Sequence, residues 1–583
     1  MICRLPVLFV AALFLSSSEP VRSQESILSA LPDDVVFVAQ IADAAETCEK
    51  LKTTPFYAVT NLPEVKPIIE RLETMFVQAR AEAKAETGFD PWDLISSMHG
   101  EVVVAYGSLK PMEKALTAQL SGADSSMTSE DLALLFIVDA GKEKETLRSA
   151  IGKMLDLGRK EGAKIETTPF HGGEFTQIAT APNESGGTAE TVYLAEQGSR
   201  FLVGFNKGLV EQVSVNLASG KASGLTKDSR FVATREATGK ESDMFVFVNL
   251  GGLVASVDTA LSTTFFGFFW QQFRSLVVGQ SLNSFGAGVQ FREQGIRQTM
   301  FVHNDGAKDG VLGWFSADAI SPKPAPFTPE NATTFSSAAI DISRVFGFLR
   351  SLAQMAMSVQ GGGDVDALFE QQLGVKFADL QRAFGDRVDV FGSKVAAEND
   401  PFEPDETFVV SLKDAEPVKK LMGTLEAASA GDAQSEDYQG QKILSFASDD
   451  GIKPGVSVTD DRLIFSFEVE NVKKVIRRAK SASTPVADAT EFKKASAQSP
   501  GKVNFFRYTS AKHQQQFQTF FPLLAQGIVA TLTERTEGLP PNLEEALVAA
   551  MNHLVQSLGD TFSWGVWQGP GFYIEGGTAF AGK

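Results

Sequence analysis

The stretch RFLVGFNKGLVEQV, residues 200–213, returns as RLIFSFEVENVKKV at residues 462–475. Arg200 and Arg462, Phe205 and Phe467, Val210 and Val472, and Val213 and Val475 fall in one register. Each copy reads as a strand running into an amphipathic helix. Self-similarity at a long period constrains a fold more tightly than local propensity does, because it says how often each unit is built.

The echo is one of several, all in the same order. LPDDVVFVAQI at 31–41 answers TPENATTFSSAAI at 328–340, and TGFDPWDLISSMHGEVVVAYGS at 87–108 answers LGVKFADLQRAFGDRVDVFGS at 373–393. The second pair shares Gly88/Gly374, Asp93/Asp379, Leu94/Leu380, Gly107/Gly392 and Ser108/Ser393. LLFIVDAGKEKETLRSAIGKM at 134–154 matches TFVVSLKDAEPVKKLMGTLEA at 407–427. Each is a β-rich run followed by a helix, with apolar stripes at Leu147, Ile151 and Met154 and at Val418, Leu421, Met422 and Leu425. FHGGEF at 170–175 pairs with YQGQKI at 438–443 as a hairpin signature. DMFVFVNL at 243–250 pairs with KVNFFRYT at 502–509, and both lead into Phe-rich helical segments, TTFFGFFWQQF and QQQFQTFFPLL. Each half closes with two strands around a turn, FGAGVQFREQGIRQTMFV at 285–302 and FSWGVWQGPGFYIEGGTAF at 562–580.

Between the halves, SPKPAPFTP at 321–329 carries four prolines in nine residues. Proline fixes φ and donates no hydrogen bond, so the segment reads as an extended linker. The expected organisation is a signal peptide over 1–23, a first α+β repeat over 24–320, the linker at 321–329 and a second α+β repeat over 330–583. Within each half the order is strand, two helices, two strands, helix, four short strands, helix, strand, long helix, two strands. Short connections between neighbouring strands favour mostly antiparallel sheets with interspersed helices. In NLPEVKPIIERLETMFVQARAEAKAETG, residues 61–88, Asn61 suits a helix cap, Pro63 the first turn and Gly88 the end.

The early LPDDVVFVAQI strand, the GFDPWDLISSMHGEVVVAYG segment, the FIVDAGKEKETLRSAI strand and helix, the FHGGEF and YQGQKI hairpins and the RFLVGF strand together resemble a bacterial exported family catalogued as a domain of unknown function, here in two tandem copies. The resemblance covers most of both halves. It implies export and a non-enzymatic role, and it supplies no catalytic residues.

Export is also read from the residues. MICRLPVLFVAALFLSSSEPVRSQ places Arg4 before an apolar run from Leu5 to Leu15, with cleavage expected near Ser23–Gln24. The run is short for a membrane span, and no later stretch is long enough. A periplasmic or extracellular location follows. The whole chain carries a formal charge of −19; loss of Arg4, Arg22 and Glu19 with the signal makes the remainder one unit more acidic. Such a surface repels phosphate backbones, which argues against nucleic acid. Cys3 would leave with the signal, so Cys48 stands alone and no intrachain disulfide is expected. Glu46 and Glu49 beside it disfavour a reactive thiolate, leaving a small buried hydrophobe.

Catalytic and metal patterns are weak. His99, His171, His303, His513 and His553 are scattered singly, with no HExxH or CxxC spacing. There is no GxSxG elbow, and GQSLN at 279–283 is only a partial likeness. GGGD at 361–364 has no preceding strand, so it is no phosphate loop. NDGAKDG at 304–310 and SDDG at 448–451 lack ordered calcium-ligand spacing and read as turns. No catalytic residue, metal ligand or cofactor is assigned.

Composition singles out one further feature: 45 Phe against 6 Tyr and 5 Trp. Aromatics at wet interfaces favour a polar handle, so the bias points to dry burial. Phe265, Phe266, Phe268, Phe269, Trp270 and Phe273 cover more than one side of a helix, and Phe517, Phe520 and Phe521 partly repeat them. They are expected either to lie buried between sheet layers or to form an apolar groove, cavity or surface for a lipid-like ligand or a partner helix. Two functions fit: an exported non-enzymatic interaction or scaffold protein with two pseudo-symmetric domains and a protein partner, or a carrier of a hydrophobic, lipid-like ligand.

Overall fold

The structure, a computed structural model, describes residues 26–88, 90, 98–120, 128–180, 190–220, 224–262, 264–359, 363–393, 405–429, 432–446, 453–480, 490–533 and 540–581. Residues 1–23, Asp93, Leu94, Gly361, Gly362 and the SDDG stretch lie outside these described residues. The chain divides into two compact units. The first comprises Met1–Gln272, Ser281–Asp305 and Thr536–Ala550, and the second Phe273–Gln280, Gly306–Arg535 and Met551–Lys583.

Alternating burial along short strands builds an antiparallel sheet in the first unit. Its strands are β1 (Phe37–Ile41), β2 (Val102–Tyr106), β3 (Leu134–Asp139), β4 (Lys164–Phe170), β5 (Gly173–Ala179), β6 (Thr191–Gln197), β7 (Arg200–Gly204), β8 (Met244–Val248), β9 (Ser284–Arg292) and β10 (Gly295–His303). They pair in the order β10-β9-β8-β1-β2-β3-β7-β6-β5-β4. The second unit has β11 (Thr334–Ala339), β12 (Phe384–Gly392), β13 (Thr407–Leu412), β14 (Ala433–Tyr438), β15 (Gln441–Phe446), β16 (Gly455–Val458), β17 (Arg462–Ser466), β18 (Phe505–Thr509), β19 (Leu558–Gln568) and β20 (Gly571–Phe580). These pair as β20-β19-β18-β11-β12-β13-β17-β16-β15-β14, the same order strand for strand. All these pairings are antiparallel, and helices fill the connections, so the fold is α+β.

The repeated stretch is a packing element in both units. β7 leads into the helix Lys207–Ser219, whose Val210 and Val213 are fully buried against Val38, Leu135, Leu202, Phe245 and Phe247. β17 leads into the helix Val469–Ala479, where Val472 and Val475 are likewise buried. Each such side chain contributes about 1.5–3 kcal/mol through removal of apolar area from water. The polar positions differ in role: the Asn206 side chain caps its helix by accepting from Leu209 N at 2.9 Å, whereas Glu468 makes no such cap.

The hairpin signatures fold as expected. His171 and Gly172 turn between β4 and β5 with φ of 49° and 83°, and Gln439 and Gly440 turn between β14 and β15 with φ of 55° and 77°. Two successive positive φ values define the tight turn whose twist matches the flanking strands.

Several boundaries differ from expectation. The long helix runs from Lys66 to Thr87, with Pro67 in its first turn and no side-chain cap, so Asn61 and Pro63 belong to the preceding turns. Pro67 supplies a preset φ and no surplus N–H, which makes it the natural start. Gly88 ends this helix and Gly374 ends the helix Val365–Leu373, both in the left-handed region. Leu425 is 45% exposed, unlike Val418 and Met422 on the same helix, Glu416–Ala428. β8 and β18 correspond two residues away from the sequence pairing: Phe245 and Phe247 bury as Phe506 and Tyr508 do, and Val248 and Thr509 face Phe37 and Thr334. The proline-rich segment 321–329 lies within the second unit, with Phe327 buried against Phe391 and under the Arg462 guanidinium.

Candidate functional site

In both units the chain leaves an inner strand, β8 or β18, and makes apolar helices before returning as β9 or β19. In the first unit Asn249 caps the helix Leu250–Leu261 by accepting from Gly252 N at 2.9 Å. The next helix, Phe265–Phe273, begins close against the end of the first: a Cβ at Gly267 would stand 2.4 Å from Leu261 O, so only glycine permits the approach. Trp270 Nε1 donates to Asp258 Oδ1 at 2.7 Å, tying the two helices by a charge-assisted bond. Phe268 and Phe269 meet edge to face.

This anchoring leaves Phe266 and Phe268 outside. Phe266 is 64% and Phe268 63% exposed, and Phe273, the last residue of the helix, is also exposed. Phe269 and Trp270 are half-buried; the side chain of Phe265 is not among those described. The expectation of a helix buried between sheet layers therefore does not hold for Phe266 and Phe268. The phenylalanine excess is partly satisfied elsewhere, in buried Phe245, Phe247, Phe301, Phe335, Phe492, Phe506 and Phe572.

In the second unit Asp560 organises the start of the corresponding segment. It accepts from Tyr508 Oη at 3.0 Å and from Ala511 N at 2.8 Å. Gln514 Nε2 donates to Gly559 O, and His513 lies edge-on to Phe517. A 3-10 turn over Gln516–Phe520 then leads into the helix Phe521–Thr533. One stripe of this helix faces inward, with Phe521 7% exposed and Ala525 fully buried. The other side carries Leu523 at 67% and Leu524 at 52%, with Phe517 and Ile528 exposed as well; Phe520 is half-buried. Sequence reasoning named Phe517, Phe520 and Phe521 but missed Leu523, Leu524 and Ile528. The available signal was the uncharged run Gln514–Thr533.

Other candidates resolve into structural roles. His171 occupies a hairpin turn, and Cys48 is buried. GQSLN follows the π-helical turn Arg274–Val278 and leads toward β9, which is not the strand-to-helix geometry of a nucleophile elbow. In NDGAKDG the Asp305 carboxylate accepts from Asn283 Nδ2 and the Asp309 carboxylate from Gln280 N, both at 2.6 Å. Among the described residues no group of three or more His, Cys, Asp or Glu side chains could hold a metal ion. A cleft of about 350 Å³ in the first unit is lined by polar groups, among them Glu236, Lys240, Glu241, Arg297, Ser242 and Thr299. It contains no phenylalanine or leucine, so its chemistry does not suit a lipid-like guest.

No described helix is long and apolar enough to cross a membrane. Comparison with protein-family models, curated proteins and solved structures finds no match.

Proposed function

We propose that this chain is an exported, non-catalytic interaction protein, built by tandem duplication of one α+β domain, whose contact surface is the outer face of its Phe-rich helices. The carrying observation is the exposure of Phe266 and Phe268 in one unit and Leu523 and Leu524 in the other, in the same slot of a shared strand order. Large apolar side chains grouped in the open mark contact surfaces in soluble proteins. Duplication draws support from the matched strand order and the matched positive-φ hairpin turns. Export, to the periplasm or outside the cell, rests on the signal-like first 23 residues and on the family resemblance.

Retention on a phenyl matrix tests the surface directly. The native protein is expected to be retained, and a variant with Phe266→Ser, Phe268→Ser, Leu523→Ser and Leu524→Ser to elute earlier with an unchanged far-ultraviolet spectrum. Lack of retention by the native protein, with unfolding of the variant, would place those side chains in the interior and overturn the reading. Turnover in a broad esterase and phosphatase screen would overturn its non-catalytic part. The second reading, a carrier of a hydrophobic small molecule, draws on the same exposed side chains; a lipid co-purifying in native mass spectrometry would favour it.

A further inference from the structure

We infer that the polar cleft of the first unit binds a small zwitterion, an amino acid or short peptide with a free ammonium and a free carboxylate. No residue of the Phe-rich helices lines this cleft. The two units supply an internal comparison for it. Asp243 and Asn504 hold the same place, since Asp243 Oδ2 accepts from Phe291 N and Asn504 Oδ1 from Trp567 N. The strands beside them pair in one register, so Gly288, Arg297 and Thr299 of the cleft stand where the second unit has Trp564, Tyr573 and Glu575. Ser242, next to Asp243, stands where it has Val503. In the second unit Trp564 and Tyr573 are buried with ring centroids 5.3 Å apart, and Val503 is fully buried. One copy thus fills this place with apolar side chains. The other lines about 350 Å³ of open volume with hydroxyls and charge, a size that suits small-molecule sites. Gly288 is required for that arrangement: a Cβ there would run into Ser242 Oγ and stand 2.7 Å from Thr238 O.

The chemistry of the lining selects the guest. Ser242 Oγ donates to Thr238 O at 3.0 Å and to Gly239 O at 3.1 Å, and Thr299 Oγ1 donates to Thr238 O at 2.6 Å. Both hydroxyl protons are therefore turned inward to the last carbonyls of the helix Ser229–Thr238, which leaves lone pairs for a guest. The negative end of the helix dipole and the exposed carboxylates of Glu236 and Glu241 act in the same sense. A group with several donors and a positive charge fits these acceptors, and an ammonium is such a group. Lys240 and Arg297 belong to the same lining and suit a carboxylate. Lys240 Nζ stands 4.0 Å from Glu236, a loose exposed pair that a guest can exchange. A purely anionic guest would meet both glutamates and the helix end, and a purely cationic one would meet Lys240 and Arg297. A neutral guest would use none of the four charges.

Isothermal titration calorimetry of the purified chain with alanine and with trialanine tests this. At least one of the two is expected to bind; trialanine alone makes the guest a peptide, and alanine as well makes it a free amino acid. Acetylating the amino end of the bound probe, or amidating its carboxyl end, is expected to weaken binding about tenfold in each case. Glu236→Gln with Glu241→Gln should weaken the free and amidated probes but not the acetylated one. Lys240→Gln should weaken the free and acetylated probes but not the amidated one. All three side chains are exposed, so the melting temperature is expected to stay unchanged in both variants. Absence of binding by both alanine and trialanine at millimolar concentration overturns the inference, as does equal binding of a probe blocked at both ends.

Discussion

Glu101 is almost fully buried in the first unit. Its carboxylate accepts from Ser26 Oγ at 2.8 Å, Ile27 N at 2.7 Å and Gln40 Nε2 at 2.6 Å, fastening residues 26–31 to the sheet. Glu101→Ala strands these donors and is expected to cost about 2 kcal/mol, measured by denaturant unfolding, with faster amide exchange at Leu28 and Leu31. Burial pushes the Glu101 carboxyl above its ordinary range despite these bonds. His303 and His513 respond to pH in the other direction. Burial lowers both; around His303, Asp305 and Asp228 oppose the shift while Arg230 reinforces it. A histidine held neutral in the fold takes up its proton more readily when unfolded. Stability from these two is therefore complete above the unfolded value near 6.5 and declines as pH falls from there through the lowered folded values. Thermal melts of the native protein and of His303→Gln between neutral and mildly acidic pH should show the variant losing less stability on acidification; an identical pH dependence of the two would contradict this role for His303. Nothing in the sequence marked Glu101 as a hub, because its donors on Ser26, Ile27 and Gln40 lie 75, 74 and 61 residues away along the chain.

At the scale of elements, the two hairpins make a sharp comparison. His171 and Gln439 hold positive φ at a position that asparagine tolerates better. His171→Asn and Gln439→Asn are each expected to raise stability by several tenths of a kcal/mol in chemical denaturation. Val213→Ala and Val475→Ala should cost similar amounts, about 2 kcal/mol each, because both side chains are buried at the same point of the repeated element. These features were legible because an aromatic, a turn glycine and a periodic valine are local signals. The alignment of β8 with β18 was not. A two-residue slip along a strand leaves the same side chains on the same face, so Phe245 could be matched to the wrong partner without spoiling the pattern. The start of the long helix failed for a related reason: Pro63 and Pro67 both suit a first turn, and only the fold chooses Pro67.

For the whole molecule, periodicity revealed the α+β architecture and the count of strands in each unit, but not the helix between β2 and β3 or the division of the expected long helix into Leu250–Leu261 and Phe265–Phe273. It did not reveal which apolar faces stay open. A helix such as Phe521–Thr533 looks alike in sequence whether both its sides are covered or one, because cover comes from distant segments. The outer face of the Phe-rich helices is open for contact in the structure. Carbene footprinting of the purified protein, read residue by residue, measures this most directly. Phe266, Phe268, Leu523 and Leu524 are predicted to label strongly while Phe521 and Ala525 stay protected; protection of all six to the same degree would contradict the account.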